Sequence, residues 1–112
     1  MISSHPSPSQ KRLQLWDYIS RELKLMPSLK LILLVLANYT NPHSYKANIP
    51  ASLIIRDSGL RDEEIKRLLA SLEAAHWVES VRVLDDAGRS VLLYNLSAQL
   101  VQRVLNPITQ SL

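Results

Sequence analysis

The sequence predicts one mainly α-helical domain closed by a small β-hairpin, an α+β fold, and three observations carry that expectation. Apolar residues recur at three- and four-residue intervals through most of the chain, the spacing that gathers them on one side of a helix. From Trp77 the interval shortens towards two and stays short to Leu96, interrupted by the turn formers DDAGR. At 112 residues, 46 % of them hydrophobic and 21 % charged, the chain has material for one modest core and not for two.

Each element follows from local chemistry. Residues 1–10 are rich in Ser and Pro and read as a flexible lead, with residues 11–112 as the single domain. A helix is expected over about 11–24, where Trp16, Ile19 and Leu23 share a face. Ser28 is a favoured N-cap for a helix over Leu29–Tyr39, which is apolar on so many sides that it should be central. The turn formers NYTNPHS end it. Ala47–Ile49 reads as a short extended piece, and Pro50 opens a helix that runs to Arg56 or Asp57 and is stopped by Gly59.

The next helix is expected from Arg61 to Ala75. At about 100° per residue, Ile65, Leu68, Leu69 and Leu72 turn inward, while Glu63, Lys66, Arg67, Ala70 and Ala74 share the opposite side. WVESVRVL and SVLLYNL then pair as a hairpin, with Gly88 free to take a positive φ. A last helix over about 98–106 sets Leu100, Val101, Val104, Leu105 and Ile108 on one side, and Pro107 forbids its continuation.

Composition excludes several classes. The longest apolar stretch, LKLILLVLA, has nine residues and a lysine, about half of the ~20 that a bilayer span needs. The N-terminus lacks the charged-then-apolar order of a secretory signal. With no cysteine there is neither a disulfide framework nor a thiolate metal site, which suits a cytoplasmic setting. His5, His43 and His76 have no metal-ligand spacing, and Gly59 and Gly88 form no phosphate loop. No enzymatic activity and no cofactor or metal are expected.

The order helix, short strand, helix, Gly-bearing turn, helix, hairpin is that of the winged helix-turn-helix, and the residues agree. IPASLIIRDSGLRDEEIKRLLASLEAAHWVES resembles the bacterial pattern PS…LA…LGLS…TV…AL..LE..GL(I/V), with Pro50, Ser52, Leu53, Gly59, Leu60, Ile65, Leu69, Leu72, Glu73 and Val78 at matching places. LYNL at 93–96 is similar to the RYRL that often closes the second wing strand. The resemblance covers about residues 28–97. It lies nearest the winged domains of GntR-like and MarR-like regulators and of plasmid or phage replication initiators. It departs at His76, where the family commonly has Gly in a left-handed conformation, and at the acids that open the helix after Gly59.

The resemblance implies sequence-specific binding of double-stranded DNA in control of transcription or of plasmid or phage replication, with the helix from Arg61 in the major groove. Arg61, Glu63, Lys66, Arg67 and Ala70 would meet bases or phosphates, Arg82 and Arg89 would reach from the wing, and Tyr45 and Lys46 would clamp the backbone. Lys11, Arg12 and Lys30 are further candidate phosphate contacts. The stripes Trp16, Ile19, Leu23, Leu100, Val104 and Leu105 suggest a homodimer interface or a cover for the central helix.

Charge complicates the picture. The net +3 arises outside the DNA-reading segment: residues 1–49 carry +4 and residues 50–97 carry −2. Asp62, Glu63 and Glu64 should repel a duplex, yet acids in a first turn also complement the helix dipole, and Glu63 stands four before Arg67. Such a balance also admits an adaptor that binds a protein partner in a replication or secretion assembly.

Overall fold

The computed structural model describes residues 7–105; residues 1–6 of the lead expected over 1–10, Ile108 and the stop at Pro107 lie outside the described residues. Within them are five helices and one antiparallel hairpin, in the order α1 (Pro8–Arg21), α2 (Pro27–Tyr39), α3 (Ala51–Ser58), α4 (Asp62–Ala74), β1 (Val78–Leu84), β2 (Ser90–Leu96) and α5 (Ala98–Leu105). The mixed, mainly helical class expected from the sequence is the one observed. No helix among the described residues is long and apolar enough to cross a membrane.

Pro50 and Arg61, expected to open α3 and α4, are the N-cap residues of those helices, and the starts of α1 and α2 lie further upstream than expected. α1 begins at Pro8 rather than Lys11, because Ser7 and Gln10 form a reciprocal capping box: the Ser7 hydroxyl accepts from the Gln10 amide at 3.2 Å and the Gln10 side chain accepts from the Ser7 amide at 2.7 Å. α2 begins at Pro27, with Met26 at the N-cap position and no side-chain cap, so Ser28 is not the cap. Proline's fixed φ and missing N–H suit the first helical position and move the start upstream.

The centre belongs to α2, which touches α1, α3, α4 and β2. Its Ile32, Leu33, Leu36 and Ala37 are fully buried. They meet Leu15 and Ile19 of α1, Ile54 of α3, Ile65, Leu69 and Leu72 of α4, Leu96 of β2, and Leu100 and Val101 of α5 in one cluster. Each large side chain among them contributes about 1.5 to 3 kcal/mol of transfer free energy when fully buried.

β1 and β2 pair from Val78↔Leu96 to Leu84↔Ser90. On the other side of β2, Ile49 forms a two-way bridge with Tyr94, at 3.3 and 2.7 Å, so the expected extended piece becomes a third, one-residue strand. Gly59 takes φ 75° after α3, and Gly88 takes φ 78° in the hairpin turn, where a side chain would be strained. His76 takes φ 64° after α4, completing a Schellman motif in which the Trp77 amide donates to the Leu72 carbonyl and the His76 amide to the Glu73 carbonyl.

Candidate nucleic-acid interface

α4 divides as its periodicity requires. Ile65, Leu68, Leu69 and Leu72 are buried, and Arg61, Glu63, Lys66, Arg67 and Ala70 are exposed, so these five lie together on the open side of the helix or at its cap. The helix is short of a side-chain cap: Arg61 occupies the N-cap position and makes no capping bond. Asp62, Glu63 and Glu64 fill the first turn instead, where roughly half a unit of positive charge from the helix dipole favours carboxylates. The acids therefore have a structural place.

They also set the charge of the exposed face of α4. Lys66 Nζ lies 3.8 Å from Asp62 Oδ2, one helical turn away. This is the ion pair that forms, rather than one between Glu63 and Arg67; both pairs have acid before base at the favourable interval, and spacing alone does not choose between them. With Lys66 and Asp62 both largely exposed, the pair is screened and exchangeable.

The hairpin positions two further cations differently. Arg89 is held by Asp85, whose Oδ2 accepts from Arg89 Nε at 3.2 Å while its Oδ1 accepts the Ala87 and Arg89 amides. Asp85 is thus the organiser of the turn, and Arg89 is its counter-ion. Arg82 donates to the Ser90 hydroxyl at 2.8 Å, on the face of the sheet that also carries Ser80 and Tyr94. Ser80 in turn donates to Glu73 Oε2 of α4 at 2.8 Å. Burial raises the Tyr94 phenol above its ordinary pKa, with the Glu73 carboxylate adding to the rise and Arg82 opposing it.

Tyr45 and Lys46 sit in the loop between α2 and α3. Tyr45 is half-buried at φ 63°, and its ring lies under Lys11, whose Nζ is 5.4 Å from the ring centroid and donates to the Pro42 carbonyl at 3.3 Å. Lys11 and Tyr45 tie α1 to the loop, so neither stands free for a phosphate. Lys46 is exposed and 3.9 Å from Glu79 Oε1. Lys30 donates to the Ser20 carbonyl at 2.8 Å and serves the end of α1; Arg12 is exposed beside Leu13 and Trp16.

The stripe read as a dimer interface is largely internal. Ile19, Leu23 and Leu100 are in the core of the chain itself, and Val104 and Leu105 are half-buried against it. Trp16 alone of the six is exposed, at 37 %, with its indole N–H donated to Asn38 Oδ1 at 3.1 Å. The physical reason is the contact of α5 with α1, which lets each helix cover the other's apolar side.

Two polar arrangements escaped the sequence reading. Asn95, 3 % exposed, accepts the Ala47 and Asn48 amides on Oδ1 and donates Nδ2 to Asn48 Oδ1. A polar residue at the third place of LYNL was its only signal. Tyr39, Arg56 and Asp57 form a second set, in which Asp57 accepts from the Tyr39 hydroxyl and from Arg56 Nε. No protein-family model matches the chain, and no curated protein matches it.

Proposed function

We propose that this protein binds double-stranded DNA as a winged helix-turn-helix, presenting α4 to the major groove in control of transcription or replication. The supporting observation is the segregation on α4: its leucines are buried, and Arg61, Glu63, Lys66, Arg67 and Ala70 form an exposed row. Arg67 and Arg61 supply charge for phosphate or guanine, Lys66 joins them when a phosphate displaces Asp62, and Glu63 can accept from cytosine N4. Ala70 leaves room for close approach. Arg89 reaches from the hairpin turn; Arg82, engaged on the sheet face, is not part of this surface in our reading. A cysteine-free chain suits work in the cytoplasm.

A protein partner is the second reading, favoured by the Lys66–Asp62 and Arg89–Asp85 pairs that neutralise two of the cations assigned to DNA. Fluorescence anisotropy with a random duplex at low and moderate salt separates the two. DNA binding predicts affinity that falls steeply with salt, and Lys66→Ala with Arg67→Ala should weaken it and flatten the log–log slope by about one per cation removed. Salt-independent behaviour, or an affinity unchanged in the double variant, sinks the DNA reading.

A further inference from the structure

The hairpin has an open edge. The amide of Asp85 donates to the Arg89 carbonyl and that of Ser97 to the Trp77 carbonyl, so the odd-numbered residues of β1 are the ones that face β2. Tyr94, opposite Ser80, spends its amide and carbonyl on Ile49 instead, which fits the same alternation. The backbone N–H and C=O groups of Val78, Ser80, Arg82 and Leu84 therefore point away from β2, and no other described segment bonds to them. Such an edge is a template for another strand: β1 has no proline and no bulge, Val81 and Leu84 are 45 % and 72 % exposed, and its two charged residues, Glu79 and Arg82, are of opposite sign.

We propose that β1 pairs antiparallel with β1 of a second copy about a two-fold axis at Val81, joining two hairpins into one four-stranded sheet in which Arg82 of each chain meets Glu73 of the other. The register follows from charge. With the axis at Val81, Arg82 stands directly opposite Ser80 of the second copy, at the ~5.5 Å Cα spacing of a hydrogen-bonded pair. Ser80 carries Glu73 on the same face of the sheet, 2.8 Å from its hydroxyl, so the guanidinium exchanges a neutral acceptor, Ser90, for a carboxylate. Leu84 lies opposite Val78 of the second copy and loses its exposure. An axis at Arg82 would set arginine against arginine, and an axis at Ser80 would leave Arg82 beside Val78 with a shorter overlap. The surface uses none of Arg61, Lys66 or Arg67 and stands independently of DNA binding.

Sedimentation velocity of the full chain across a concentration series tests it. The wild type should dimerise by about 100 µM. Arg82→Pro removes an open-edge N–H and no bond to β2, and Arg82→Glu places carboxylate against carboxylate; each should raise the dimer Kd at least about tenfold while circular dichroism stays unchanged. Arg82→Glu combined with Glu73→Arg should restore the dimer. A wild type that remains monomeric, a dimer indifferent to both Arg82 variants, or a failure of the charge swap to rescue a folded protein would each overturn the proposal.

Discussion

Asn95 and Asn48 grip one another across 47 residues of sequence: Asn95 Nδ2 donates to Asn48 Oδ1 at 2.9 Å, and Asn95 Oδ1 accepts the Asn48 amide at 2.8 Å. The same oxygen takes the Ala47 amide at 2.6 Å. One side chain of β2 thereby holds the loop that leads into α3, and it allows Asn48 to rest at φ 51°. Asn95→Leu would leave two backbone donors without partners in a half-buried place. Urea melts should show a loss of about 2 to 3 kcal/mol, and a loss below about 0.5 kcal/mol would contradict this role.

Asp62 serves the helix and restrains its lysine at once, and the two effects have opposite signs on replacement. Asp62→Asn should cost about 0.3 to 1 kcal/mol of stability through the lost dipole complement and the lost pair with Lys66. The same change should raise affinity for random duplex at low salt, because Lys66 is released. A variant that binds more weakly than wild type would count against the proposed orientation of α4.

Asp57 is held below the ordinary carboxylate pKa, first by the Tyr39 hydroxyl and then by Arg56. A group depressed in the folded state lends stability that is complete above its unfolded pKa and is lost as pH falls through the folded one. Tyr39 shifts upward for the complementary reason, its hydroxyl being held by Asp57, so its contribution is lost only as pH rises through that raised pKa. In Tyr39→Phe the Asp57 carboxyl should titrate at a higher pH than in wild type, as followed by carboxyl-carbon NMR. An unmoved midpoint would remove Tyr39 as the principal cause.

His76 occupies the left-handed position of a Schellman motif, where a Cβ is unfavourable. His76→Gly should stabilise the protein by about 0.5 to 1 kcal/mol, and His76→Val should destabilise it. Thermal melts of the two variants must move in opposite directions.

Much of this was legible in the sequence. The inward row of α4 was, because four large apolar residues at helical spacing admit one buried side; the left-handed His76 was legible only through the resemblance, whose pattern commonly has Gly at that place. The hairpin and its turn were marked by the change of period and by Gly88. The start of α1 was not, because Ser and Pro read as a loose segment unless Gln10 is seen to answer Ser7. Ile19, Leu23 and Leu100 could not be assigned from composition, since a stripe looks the same whether its own chain or a second copy covers it. The Lys66–Asp62 pair was not legible, because Asp62 and Glu63 each stand four residues before a base, Lys66 and Arg67 respectively, and spacing does not choose between the two pairs.

The outermost helices share their interior with the middle of the chain: Leu15, Ile19, Leu100 and Val101 lie in one continuous cluster with Ile32, Leu36 and Leu69. Neither α1 nor α5 can fray far without wetting the cluster in which Leu69 of α4 also lies. Calorimetry should accordingly register a single cooperative melting event, with the terminal helices and the exposed row of α4 disappearing together.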